Sequence, residues 1–183
     1  MIPLVTEVAE MRRVRALTED IKKELRSEGK AFDEDIKIGA MIETPAACMT
    51  ADILAGECDF FSIGTNDLTQ YTMAADRGNR QVGYLNDVFE PAVLRAIRYI
   101  IKCAGDAGIP VGMCGEAAAD PRLTPLLVSF GLDEFSVSPS SVLRTRYNIS
   151  LWTGEKADKV TAEVMNMASA DDIKAYLTSL QSR

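Results

Sequence analysis

Short apolar runs alternate with stretches in which apolar residues recur every three or four positions. Met1-Ile-Pro-Leu-Val5 reads as a strand, followed by a helix over Glu7–Arg26 with Val8, Met11, Val14, Leu17, Ile21 and Leu25 at helical spacing. Ile36–Ile42 predicts a second strand. Thr44-Pro45 then supplies a cap followed by proline in the first turn, where no amide donor is needed, and a helix runs to about Leu54. Asp59–Gly64 is a third strand. Thr65–Glu90 reads as a long loop with a short helical stretch near Leu68–Ala74. Pro91 opens a helix carrying Val93, Leu94, Ile97, Ile100 and Ile101. Val111–Cys114 is the fourth strand. Asp120-Pro121 repeats the cap-plus-proline helix start, and Glu134–Val137 adds a short extended piece. The tail predicts two packing helices, Lys156–Met167 and Asp171–Leu180, without a motif that points to chemistry.

Strands alternating with helices imply an α/β fold with parallel strands and helices outside. The runs are apolar on both faces, as buried parallel strands are. Four such (β/α) units in 183 residues make half of an eight-unit barrel, which takes roughly 200–250 residues when whole. The chain therefore reads as one partial domain over residues 1–183, beginning almost inside a strand, as a truncated domain would. A half barrel would leave two outer strands with unpaired backbone groups, an incentive to homodimerise or to pair with a complementary half-barrel chain.

Composition narrows the function classes. A net charge of −7 argues against nucleic acid and against an anionic membrane surface, both of which need clustered Lys and Arg. No apolar run approaches the ~20 residues of a membrane span, no secretory signal opens the chain, and it reads as cytoplasmic. Four widely spaced cysteines and no CxxC pair argue against a disulfide framework or a zinc site. The chain has no histidine, which removes a histidine base and any phosphohistidine on this chain.

In parallel α/β folds chemistry sits where strands end. Glu43 ends the second strand, Thr65-Asn66-Asp67 the third and Cys114-Gly115-Glu116 the fourth. Glu43 and Asp67 suit Mg²⁺ or Mn²⁺ with the other positions filled by water or substrate, or serve equally well as capping or salt-bridging acids. Asn66 can donate to an anionic oxygen or form a simple Asn turn. Arg77 can grip a carboxylate or phosphate, or be a solvated surface charge. Cys114 can give up a proton, or be a small buried hydrophobe like Cys48, Cys58 and Cys103.

Three segments carry a resemblance that separates these readings. Asp59-Phe-Phe-Ser-Ile-Gly-Thr-Asn-Asp-Leu-Thr-Gln-Tyr71 with Arg77, Gly39–Ala47 and Gly112–Glu116 resemble, in order, the motifs of phosphoenolpyruvate-utilising enzymes. Asp76–Asn79 and Gly29–Asp33 are more similar to Enzyme I of the bacterial sugar phosphotransferase system than to pyruvate phosphate dikinase. The resemblance implies units 5–8 of a (β/α)8 TIM barrel. It implies Mg²⁺ on Glu43 and Asp67, phosphoenolpyruvate on Asn66, Asp67 and Arg77, and Cys114 as proton donor to the enolate carbon. It also implies a phosphoryl-accepting histidine on another domain, and the phosphocarrier protein HPr reached only through domains outside this chain. The isolated chain is then expected to transfer no phosphoryl group. The alternatives are a non-catalytic dimerisation or ligand-binding module, another phosphoenolpyruvate-utilising enzyme such as pyruvate phosphate dikinase, or, more remotely, an aldolase.

Overall fold

In the computed structural model, which describes residues 1–181, four short strands form one parallel sheet in sequence order. They are β1 (Ala40–Ile42), β2 (Phe61–Gly64), β3 (Val111–Cys114) and β4 (Glu134–Ser136). Register pairs Ile42 with Ile63, Gly64 with Cys114 and Cys114 with Ser136, so the carboxyl ends of all four strands lie along one rim. A parallel sheet in sequence order with helical crossovers is an α/β arrangement compatible with half of a barrel.

The helices follow from local signals. α1 (Val8–Ser27) starts at a reciprocal capping box between Glu7 and Glu10. After β1, Thr44 caps α2 (Pro45–Met49) by accepting from the Ala47 amide at 3.1 Å. The predicted single helix to Leu54 is split, because Thr50 leaves helical geometry before α3 (Ala51–Ala55). α4 (Thr65–Thr72) begins directly at the end of β2. α5 (Pro91–Ala107) carries Pro91 in its first turn and ends at Gly108, whose φ of +70° favours glycine. Then come α6 (Thr124–Phe130), α7 (Val142–Ser150), α8 (Gly154–Val164) and α9 (Ala170–Gln181). The two tail helices are where the apolar spacing put them.

Phe61, Ile63, Leu54, Leu94, Ile97, Ile100, Met113 and Leu126 are among the fully buried side chains between sheet and helices. Ile173 and Leu177 of α9 join the same core.

Several sequence expectations change. Met1–Val5 is not a full strand: only Ile2 bridges, to Ala40. Pro3 has no amide to offer a ladder, and Leu4 turns out of extended geometry at φ +51°. The sheet's fourth strand is instead supplied by Glu134–Ser136, the short extended piece. Asp120-Pro121 lies in a turn rather than starting a helix, and α6 starts at Thr124-Pro125. α7 was not expected: its Leu143 and Tyr147 remain exposed, so no apolar stripe marks a buried face. On α1, similarly, only Met11 of the predicted apolar series is fully buried, while Leu17 and Ile21 face solvent.

Candidate functional site

Glu43 stands at the end of β1, and its side chain is only 4% exposed. Its Oε1 accepts a 2.8 Å hydrogen bond from the Leu4 amide, the group freed by the left-handed turn at Leu4. The next residue fastens the same segment, since Thr44 Oγ1 donates to the Val5 carbonyl at 2.7 Å. The other carboxylate oxygen, Oε2, faces Gly64 at the end of the neighbouring strand. A Cβ at Gly64 would overlap that oxygen, lie 2.9 Å from Glu43 Cβ and 3.0 Å from Met41 Sδ. Glycine here is a matter of clearance, because its φ of −89° suits any residue.

Burial pushes the Glu43 carboxyl above its ordinary value. The Leu4 amide opposes the shift, and the neighbouring Asp67 carboxylate adds to it. A buried carboxyl that a neighbouring carboxylate pushes further up is a place where a cation gains from both acids. Among the described residues no group of three or more His, Cys, Asp or Glu side chains gathers to hold a metal. Glu43 and Asp67 are two acids brought together at adjacent strand ends. Hard oxygen donors, few in number, with water or substrate to fill the rest, match Mg²⁺ or Mn²⁺.

Asn66 and Asp67 were expected in a loop, but they occupy the first turn of α4. There the helix N-terminus favours negative charge, which suits Asp67 and equally an anionic ligand beside Asn66. Arg77 reaches back across the following loop to place Nη2 3.5 Å from Asp67 Oδ1, with just over half of its side chain in solvent. The loop is shaped by Gln70 Oε1 accepting from the Arg77 amide at 3.1 Å and by an Asp76 turn whose Oδ1 accepts from Gly78 at 2.8 Å.

Cys114 ends β3, beside Gly64 in register. It is partly exposed, whereas the other three cysteines are buried. Burial pushes Cys48 and Cys58 up to about 11. Burial also raises Cys103, although its hydrogen bond to Tyr99 opposes the shift. Cys114 Sγ lies 3.5 Å from the Ile63 carbonyl. Thr65 Oγ1 donates to the Cys114 carbonyl at 3.0 Å and sews the two strand ends together. Gly115 turns the chain away at φ +99°, where a Cβ would stand 2.6 Å from Thr65 Oγ1, so both conformation and space exclude a side chain.

Next to these strand ends opens a cavity of about 280 Å³ whose wall includes Asn66, Arg77, Asp87, Phe89, Glu116 and Arg122. Glu43, Asp67 and Cys114 are not part of that wall. The structure thus joins Glu43 to Asp67, Asp67 to Arg77, and Asn66 to Arg77 across the cavity.

Sequence reasoning missed Arg122 and Asp87. Arg122 is held by Asp120, through Nε at 3.0 Å and Nη2 at 2.6 Å, and stacks on the Phe89 ring with 4.6 Å from its guanidinium carbon to the ring centroid. The Asp120-x-Arg122 spacing was a usable signal, masked by reading Asp120-Pro121 as a helix start. Asp87 carried no such signal.

Comparison with known proteins identifies the chain's relatives. The family model described as "PEP-utilising enzyme, PEP-binding domain" matches residues 1–152, which contain all five predicted site residues. A phosphoenolpyruvate-protein phosphotransferase of Streptococcus equinus is 55% identical over 146 residues, 80% of this chain and 25% of that protein. Proteins of the same name from Latilactobacillus sakei and Bacillus subtilis (strain 168) are 47% and 42% identical, over 100% and 97% of this chain and 32% and 31% of theirs. The chain thus spans between a quarter and a third of the length of the curated relatives it matches.

Proposed function

The chain belongs to the PEP-utilising enzyme family, as its PEP-binding domain, and from that premise we propose that it forms the Mg²⁺-dependent phosphoenolpyruvate site of an Enzyme I-type phosphoenolpyruvate-protein phosphotransferase. The reaction moves the phosphoryl group of phosphoenolpyruvate to a histidine on a separate domain and releases pyruvate, serving sugar uptake in the cytoplasm. The four sequential parallel strands are units 5–8 of a (β/α)8 barrel, completed by a further half-barrel or stabilised by homodimerisation. HPr is reached only through other domains. With no histidine in its sequence, this chain holds the substrate and leaves the acceptor to its partner domain.

The observation that carries the reading is the buried Glu43 carboxylate turned toward Asp67 at adjacent strand ends. Glu43 and Asp67 would hold Mg²⁺, or Mn²⁺, which supplies positive charge where the enol oxygen becomes negative. Asn66, in the first turn of α4, donates to the substrate's anionic oxygens. Arg77, 3.5 Å from Asp67 and more than half in solvent, would present its guanidinium to the substrate's anionic oxygens. The phosphorus–oxygen bond breaks toward oxygen and leaves pyruvate enolate. The Cys114 thiol gives its proton to the methylene carbon, yielding pyruvate and a thiolate that regains its proton from solvent.

Calorimetric titration of phosphoenolpyruvate into the chain, with and without Mg²⁺, tests the reading beside a Glu43→Ala/Asp67→Ala control. Binding that requires Mg²⁺ and vanishes in the control is the expected outcome. Equal binding in the folded control would remove the two acids from the site.

A further inference from the structure

The wall of the cavity beside Asn66 and Arg77 contains three acids, Asp87, Glu116 and Asp120. For a cavity that receives a substrate with a carboxylate and a phosphate, each unpaired acid is a liability, because like charges repel strongly where water is partly excluded. Two of the three are paired. Asp120 is taken by Arg122 from its own loop. Asp87 is taken from 87 residues away by Lys174 of α9, Nζ to Oδ2 at 2.8 Å.

Asp87 uses both of its oxygens. Oδ1 accepts from the Phe89 amide at 3.0 Å and closes the turn that carries Phe89. Phe89 is buried, and its ring is the platform under Arg122. Oδ2 is left for Lys174. One ion pair therefore neutralises an acid in the wall and fastens the turn that supports a guanidinium in the same wall.

The tail helix is well placed for this. Ile173 and Leu177 bury one face of α9 in the core, which fixes the direction in which Lys174 projects. At its far end Gln181 Nε2 donates to the Pro121 carbonyl at 3.2 Å, in the loop that carries Asp120 and Arg122. α9 thus touches both loops of the cavity wall. Asp171 also lies 3.0 Å from Lys174, but its side chain is 92% exposed, and solvent screens that pair.

We infer that Lys174 is a positioning residue of the substrate site: it masks the charge of Asp87 and holds the Asn86–Phe89 turn against the cavity, so that the wall accepts an anionic ligand. This rests on the function proposed above. The tail helix, which carries no chemical motif, becomes part of the recognition apparatus through a single charge.

The test compares Lys174→Met, Lys174→Arg and the double variant Lys174→Met/Asp87→Asn with the parent chain. It uses Mg²⁺–phosphoenolpyruvate titration together with amide hydrogen exchange over residues 86–90. Lys174→Met should weaken affinity roughly 2- to 30-fold, the span of long-range coupling effects, and speed exchange in the turn. Lys174→Arg should keep both near the parent. The double variant should recover affinity, because the repelling carboxylate is gone, while its exchange stays fast. Loss of thermal stability with unchanged affinity would make Lys174 a structural residue only and overturn the inference. So would a double variant that binds no better than Lys174→Met, or exchange that does not respond. A parent chain that binds no phosphoenolpyruvate defeats the functional reading and the ligand role given to Lys174, while the exchange measurement still decides whether the turn is held.

Discussion

Gly64→Ala offers a direct test of the site's geometry, because the backbone at this position tolerates alanine and only the space does not. The added methyl would overlap Glu43 Oε2 and stand 2.9 Å from Glu43 Cβ and 3.0 Å from Met41 Sδ. Relaxed carbon–carbon contacts lie at about 3.5–4.0 Å, so the Glu43 side chain or β2 must shift by close to 1 Å. Overpacking of this kind costs about 1–3 kcal/mol. For a chain of this size that is a fall in Tm of roughly 2–4 °C per kcal/mol. A displacement of about 1 Å in a ligating group can cost on the order of 100-fold in function, so Mg²⁺-dependent binding should fall further than stability does. Thermal unfolding followed by circular dichroism and calorimetric titration measure the two effects. Gly105→Ala is the control of opposite sign. It is an exposed helical glycine in α5 with nothing within 4 Å of a new Cβ, where alanine should stabilise by about 0.5–1 kcal/mol. A Gly64→Ala chain with the parent's Tm and the parent's Mg²⁺ dependence would refute the clearance argument.

Four further outcomes rest on the same structure. Because burial raises the Glu43 carboxyl, a cation must displace a proton there. Mg²⁺ affinity measured against pH should therefore rise through the window above the ordinary carboxylate range and flatten beyond the raised value, and Glu43→Gln should abolish the rise. The same group makes the metal-free fold more stable as pH falls through that window, since the folded state then binds more protons than the unfolded one. Asp59 behaves in the opposite sense. The Ile38 amide first, and Arg15 after it, hold its carboxyl below the usual range, so the stability it contributes is present above the unfolded value and lost as pH falls through the folded one; Asp59→Asn should cost about 1–2 kcal/mol near neutrality and flatten the acid limb of urea unfolding. Leu177→Ala should cost about 2–5 kcal/mol in urea unfolding, because the residue is fully buried, and a smaller loss would mean that α9 is not part of the core.

Much of this protein is written in local pattern. Parallel α/β architecture follows from apolar runs alternating with helical spacing, and the rule that such folds work at strand ends singled out Glu43, Asn66, Asp67 and Cys114. A cap-and-proline signal located α2 and Pro91 alone located α5, while the cap-and-proline signal misled at Asp120-Pro121, where a turn rather than a helix satisfies it. The burial of Cys48, Cys58 and Cys103 against the partly exposed Cys114 was legible from Cys114 standing at a strand end. Only tertiary structure decided the rest. Met1–Val5 looked like a strand, yet Leu4 spends its amide on Glu43 rather than on a ladder, a choice that depends on a residue 39 positions away. The masking of Asp87 by Lys174 spans 87 residues. Periodicity reports which face of a segment is apolar over one or two turns. It carries no information about which distant charge or backbone amide arrives at that face, because that is set by how the segments pack together.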